Sequence, residues 1–294
     1  MPFYLFYWVG YVGCLLLPRR FCYWVACRLA DFCYLRFDKD RVAVEGNLAA
    51  VLKTDQVPPA LTREVFRNFS RYLVDFFRFS HLDSQKVRQL VRVEGLERMK
   101  AALDEGRGAI GLTAHLGNYE LAGAVLALLG LPVNAVVLTH QNPRVDAFFT
   151  RQRARVGVQG IPIRGNNLKA FLEASLSALR RNEILALVGD RDFFNHGITL
   201  PFFGRSLKVP TGPAAFSLRT GAPIVPGFLI RESDGSYRFI LESPIFVPNG
   251  VDKEKAQRQI IQSCLEVMAR YIRQYPTQWY MFQEFWRPGP AIIQ

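Results

Sequence analysis

The chain has 294 residues, half of them apolar, which is enough to bury one large core and excludes a disordered chain. Its net charge of +12 asks for an acidic partner such as a nucleic acid, an anionic membrane face or an acidic carrier protein. Nucleic acid is disfavoured, because the basic residues are scattered among apolar ones and no zinc-finger, basic-zipper or RNA-recognition pattern is present.

Phe3 to Leu17 carries no charge and holds Phe3, Tyr4, Phe6, Tyr7, Trp8 and Tyr11. It is shorter than the roughly 20 apolar residues of a full span, and no positive segment precedes it as in a secretory signal. Tyrosine and tryptophan favour the membrane interface, so a short or shallow anchor is expected, flanked by Arg19, Arg20, Arg28 and Arg36. The bland alternative is a helix of the globular core. Cys14, Cys22, Cys27 and Cys33 match no zinc spacing and read as small buried hydrophobes. After Pro58-Pro59, Leu61, Val65, Phe66, Phe69, Tyr72, Leu73, Phe76 and Phe77 recur at helical spacing, with Arg63, Arg67, Arg71 and Arg78 interspersed. A core-facing amphipathic helix is the simpler reading, and a membrane-surface helix the sharper one.

From Val91 the pattern alternates. Strands are expected at Val91 to Val93, Ala109 to Thr113, Val133 to Leu138, Gln159 to Ile163, Ile184 to Val188, Ile224 to Ile230 and Tyr237 to Leu241. Helices are expected near Leu96 to Asp104, Tyr119 to Leu129, Pro143 to Val156, Asn167 to Arg180, Gly212 to Thr220 and Lys253 to Tyr275. Such alternation predicts an α/β fold with a central, largely parallel sheet flanked by helices. The economical division is a membrane-associating segment over 1–40 and a catalytic domain over 41–294.

Ligands of such folds bind at the carboxyl ends of the strands. His115 falls at the junction between the strand ending at Thr113 and the next helix, and Glu120 lies in that helix's first turn. A histidine there can act as a general base, with the carboxylate as its orienting acid. Amides near Gly117 and Asn118 are placed as oxyanion donors. Arg164, ahead of a helix start, is placed for an anion. Asp190-Arg191-Asp192 is either a structural charge cluster or a site where acids aim Arg191 at a substrate. Leu200 to Arg205 is aromatic and turn-rich and could border an apolar groove. No Gly-x-Ser-x-Gly elbow is present, which disfavours an acyl-serine intermediate.

These blocks resemble the lipid A acyltransferases and the related mycobacterial phosphatidylinositol-mannoside acyltransferases, within the glycerolipid acyltransferase superfamily. His115 and Glu120 match the superfamily's first motif, a histidine, four residues, then an acid. Asp190-Arg191-Asp192 with Leu200-Pro201-Phe202-Phe203-Gly204, then Lys208 to Pro213 with Arg219 to Pro226, resemble the next two blocks. Tyr275-Pro276-Thr277-Gln278-Trp279 resembles the last. The sequence departs at Phe193-Phe194-Asn195-His196-Gly197 and at Phe282 to Trp286, which leaves the acceptor lipid open.

The resemblance implies a glycerol-3-phosphate acyltransferase-like fold and transfer of a fatty acyl chain to a hydroxyl of a (glyco)lipid such as a lipid A precursor. The donor would be an acyl carrier protein or coenzyme A thioester, used as a co-substrate, with no cofactor and no metal. In this reading His115 is the base and Glu120 its orienter. Asn118, Arg164, Asp190 and Arg191 contact substrate, and the enzyme sits on the cytoplasmic face of the inner membrane. A phosphatidylinositol-mannoside or lysophospholipid acyltransferase is the nearest alternative. A thioesterase or a non-catalytic lipid-binding protein is more remote.

Overall fold

The computed structural model describes residues 2–163, 167–192 and 197–286, without the side chains of residues 2–4 and 6. Four helices open the chain: α1 (Pro2–Leu16), α2 (Arg19–Arg36), α3 (Asp38–Leu52) and α4 (Pro59–Phe79). Among the described residues no helix is long and apolar enough to cross a membrane. Pro18 separates α1 from α2, because proline cannot continue a helix but is tolerated at its start.

The expectation of a core-facing helix after Pro58-Pro59 holds for α4, which buries Val65, Phe66, Tyr72, Val74, Phe76, Phe77 and Phe79. Charge joins α2 to it. Asp31 on α2 is buried and accepts from Arg67 Nε at 2.7 Å and Arg63 Nε at 2.7 Å, with Arg28 at 3.0 Å. Asp75 on α4 pairs with Arg19 Nε at 2.8 Å and accepts from the hydroxyls of Tyr23, at 2.5 Å, and Tyr237. The arginines along α2 and α4 therefore divide between holding this helical layer together and facing outward.

Beyond it come α5 (Ser84–Leu90), β1 (Val91–Glu94), α6 (Leu96–Asp104), β2 (Ala109–Thr113), α7 (Tyr119–Leu128) and β3 (Val133–Leu138). They are followed by α8 (Pro143–Arg155), β4 (Val158–Ile163), α9 (Leu168–Arg180) and β5 (Ile184–Val188). A hairpin, β6 (Ile198–Phe202) and β7 (Arg205–Val209), precedes α10 (Gly212–Thr220), β8 (Ile224–Arg231), β9 (Tyr237–Leu241) and α11 (Lys253–Gln274). A 3₁₀ turn, Pro276–Gln278, follows α11.

Seven strands form one sheet in the order β1-β9-β8-β2-β5-β3-β4. Every pairing is parallel except β8 with β9, so the expected largely parallel α/β sheet is present. The hairpin β6–β7 forms a separate antiparallel pair where only a turn-rich groove border was expected. Helices α3 and α5 also add to the sequence reading.

The sheet separates two apolar cores, and strand alternation assigns residues to each. Ile110, Leu112, Leu185 and Leu187 face the core shared with α9, α10 and α11. Ala109, Val133, Ile184 and Val225 face the core shared with α6, α7 and α8. On that second face, register places Val225, Gly111, Ala186, Ala135 and Gly160 in one row across five strands. Four of the five carry at most a methyl group, so the row leaves room between the sheet and α7.

The hydrogen bonds from Arg67 and Arg63 hold the Asp31 carboxyl well below the usual carboxylate range, against the opposing effect of burial. A carboxylate with a depressed folded-state pKa stabilises the fold above its unfolded value, about 3.9, and that contribution is lost as pH falls towards the folded-state value. Replacing Asp31 by Asn is expected to lower Tm at pH 7, by the equivalent of about 1 kcal/mol after solvent screening of the arginines. Thermal melts should show the deficit shrinking below about pH 4.

Candidate active site

β2 and β5 are neighbours, with Thr113 opposite Val188. Two residues further along each strand direction stand His115 and Asp190, and their side chains meet. His115 Nδ1 lies 2.7 Å from Asp190 Oδ1, and the His115 amide donates to Asp190 Oδ2 at 3.0 Å. A carboxylate only accepts, so Nδ1 carries the proton and Nε2 is the basic nitrogen. Asp190 is fully buried, and Trp279 Nε1 donates to its Oδ2 at 3.1 Å. Burial acts to raise its pKa. Electrostatic attraction to the His115 ring and the hydrogen bonds from His115 and Trp279 outweigh that and hold the carboxyl below its ordinary range.

The backbone around His115 is clamped. Its carbonyl accepts from the Tyr280 amide at 2.8 Å, and Leu116 bridges to Trp279. The Gly117 amide donates to the Gln278 carbonyl at 2.9 Å and the Asn118 amide to Leu229 at 2.8 Å. Both amides are therefore committed to structure, and the expectation that they serve as oxyanion donors is replaced. Gly117 is required here: its φ is +63°, and a Cβ would stand 2.1 Å from the Leu229 carbonyl oxygen.

Asn118, expected to contact substrate, has a structural partner at both ends of its amide. It is buried, caps α7 by accepting from the Leu121 amide at 3.0 Å, and donates to the Tyr237 hydroxyl at 3.4 Å. Asp190, expected to touch substrate, instead holds the histidine. Glu120 does not hold it. Its carboxylate is gripped by Arg153 of α8, Nε at 2.9 Å and Nη2 at 2.5 Å. Burial alone would lower the Arg153 pKa, but Glu120 keeps it raised and charged.

Arg191 donates to Gln283 Oε1 at 2.6 Å, and burial lowers its pKa somewhat despite Asp190. Arg164 and residues 193–196 lie outside the described residues. Trp279 and Arg153 were missed as site residues. Trp279 lies in the last of the sequence blocks, but nothing local shows which carboxylate it meets.

His115, Glu120, Arg153, Arg191, Tyr119 and His140 line a cavity of about 600 Å³ at the carboxyl ends of the strands. Its walls are otherwise mostly apolar, and one arm runs along the small-residue row. That arm is lined by Gly111, Ala135 and Ala186 on the sheet, by Gly123 and Leu126 on α7, and by the buried Met99, Phe239 and Leu241. Among the described residues no three histidine, cysteine or carboxylate side chains converge to hold a metal ion.

The family model for bacterial lipid A biosynthesis acyltransferases matches residues 1–288. The chain belongs to that family. Over 242 residues it is 28% identical to a phosphatidylinositol mannoside acyltransferase of Mycolicibacterium smegmatis, covering 82% of this chain and 77% of the relative. Over 181 residues it is 28% identical to the lipid A biosynthesis palmitoleoyltransferase of Escherichia coli, covering 60% of this chain and 57% of the relative. The crystal structure of the 1-acyl-sn-glycerophosphate acyltransferase PlsC from Thermotoga maritima superposes with a TM-score of 0.42 at 12% identity, over 89% of this chain and 99% of that one. As a lipid A biosynthesis acyltransferase family member, the protein is an acyltransferase, with an acyl donor and a lipid acceptor.

The two acids of this family member are expected to behave differently when changed. Asp190→Asn should lower kcat by about 10³–10⁴-fold, because the amide no longer fixes the imidazole tautomer or stabilises its cation. Glu120→Ala leaves the buried Arg153 unpaired, so calorimetry should show a loss of about 3–5 kcal/mol of stability.

Proposed function

We propose that the protein transfers a fatty acyl chain from an acyl carrier protein or coenzyme A thioester to a hydroxyl of a membrane (glyco)lipid. The His115–Asp190 pair, whose His115 lines a largely apolar cavity, carries this reading. Nε2 of His115 takes the proton of the acceptor hydroxyl as its oxygen attacks the thioester carbonyl. The tetrahedral intermediate then expels the thiolate, which regains the proton from the imidazolium. Asp190 stabilises that cation while it exists. General base catalysis contributes about 10²–10⁴-fold. The cavity supplies the rest by fixing both substrates and excluding water.

The closed arm receives the donor chain. Its end residues are almost fully buried, at 0% exposure for Met99, 2% for Phe239 and 1% for Leu241, so the chain has a floor. Arg191 in the wall is a candidate contact for the acceptor's anionic groups, whereas Arg153 is neutralised by Glu120. Two acceptors fit. A lipid A precursor agrees with the family's name, and a phosphatidylinositol mannoside agrees with the longer similarity to the mycobacterial relatives. A hydrolase would destroy thioester without any lipid. His115→Ala should therefore remove nearly all acyl transfer while the protein still folds. In wild type, thioester loss should require added lipid acceptor; equal loss without it would establish a hydrolase instead.

The reading also places the enzyme on the cytoplasmic face of the inner membrane, where both donors are found. Support comes from α2, whose outer face presents Phe21, Trp24, Phe32 and Leu35 with Arg28 and Arg36 among them. Trp24 and Leu35 are 62% and 70% exposed. Apolar side chains interleaved with arginine suit an anionic interface. Trp24→Asp with Leu35→Asp should cut co-sedimentation with phosphatidylglycerol vesicles by about tenfold or more and leave Tm near the parent's. Undiminished sedimentation would remove α2 from the contact.

A further inference from the structure

The cavity has a second arm on the opposite face of the sheet. Adjacent residues of one strand point to opposite faces, yet both members of Gly111/Leu112, Ala135/Val136 and Ala186/Leu187 line the same cavity. It therefore wraps over the carboxyl edge of β2, β5 and β3. The second arm lies between α9 and α10. It is lined by Leu168, Phe171, Leu172 and Leu176 on one side and by Ala215, Phe216 and Arg219 on the other.

The two arms differ in a way that suits two different chains. Met99, Phe239 and Leu241 in the first are almost fully buried. The second is open along its length: Leu168 and Leu172 are 50% and 36% exposed, and Ala215 and Arg219 are exposed. Among the described residues, the other exposed large apolar side chains lie on the N-terminal helices, apart from Phe246. A donor chain threads into a tunnel by its free end and suits a buried arm. A chain attached to a head group too large to thread must enter sideways, and needs a furrow open along its length. Apart from Arg219 the furrow walls are hydrocarbon, which suits an alkyl chain and gives the amides of a pantetheine no partners. Arg219 at the rim is placed for an anionic head group.

We propose that the α9–α10 furrow binds an alkyl chain already present on the acceptor, so that donor and acceptor chains lie on opposite faces of the sheet and meet at His115. This rests on the acyl-transfer reading above. It adds a second lipid subsite, with Leu168, Phe171, Leu172 and Phe216 as its walls.

The test uses full-length enzyme with two photoreactive probes and mass spectrometry of the labelled residues. One is a non-hydrolysable thioether analogue of palmitoyl-coenzyme A with a diazirine at its chain end. The other is a lysophosphatidylglycerol with a diazirine in its acyl chain, added once the unlabelled thioether occupies the enzyme. The thioether should label near Met99 and Leu241, and the lysolipid should label α9 and α10. Leu172→Arg should weaken lysolipid labelling about tenfold, the equivalent of losing about two buried methylenes, and leave thioether labelling unchanged. A parallel variant, Leu172→Trp, guards against a folding defect from the introduced charge. Lysolipid labelling confined to the α7 arm, or absent from α9 and α10, overturns the furrow. So does thioether labelling on α9. Failure of the thioether to label either arm counts separately against the donor-tunnel reading.

Discussion

The candidate site depends on one buried carboxylate. Asp190 has no exposure to water, and its two oxygens accept from three donors: the ring and the amide of His115, and the indole of Trp279. These donors come from two distant parts of the chain, the end of β2 and the segment after α11. A charge taken out of water is costly unless every lone pair finds a partner. The folded protein therefore has little freedom in where it places β2, β5 and the segment after α11. The same requirement that makes Asp190 tolerable in the core fixes the tautomer and direction of the His115 ring.

The histidine was legible in the sequence because a strand-to-helix junction in an α/β fold is a place where ligands bind. Its partner was not, although Glu120 stood five residues away. Asn118 caps α7, and the helix then turns Glu120 towards α8, where Arg153 holds it. The true partner is distant in sequence and close in register, since Thr113 opposite Val188 carries His115 opposite Asp190. Equal offsets past the ends of two strands would have exposed the pair only with the strand order known, and that order is set by packing of the whole sheet. Elements with strong periodicity, such as α4 and the central strands, were readable. The hairpin β6–β7 was not, because Pro201 and Gly204 signal turns more loudly than the short strands signal pairing.

The N-terminal helices are tied to the rest of the chain by charge. An aromatic segment followed by arginines suggested an element separate from the catalytic unit. Asp31 of α2 and Asp75 of α4, both buried, bind five of those basic and phenolic groups, Arg28, Arg63 and Arg67 on one side and Arg19 and Tyr23 on the other. They stitch α2 onto α4, and Asp75 also reaches Tyr237 of the sheet. The aromatic side chains left outside are thereby carried on a rigid platform.

The segment from Tyr275 to Met281 has a consequence for how the molecule comes into being. Gln278 bonds both backbone groups of Arg231, Tyr280 bonds the His115 carbonyl, and the Met281 carbonyl accepts from Asn47, 234 residues earlier. Contacts of such long sequence separation close last, since loop entropy opposes them until the intervening chain is ordered. A ribosome delivers this strap near the end of synthesis, after the helical layer has emerged. On the nascent chain His115 and Leu116 thus lack their backbone contacts to Tyr280 and Trp279 until translation is nearly finished. A product truncated before Tyr275 would keep Asp190 but leave it without its indole donor.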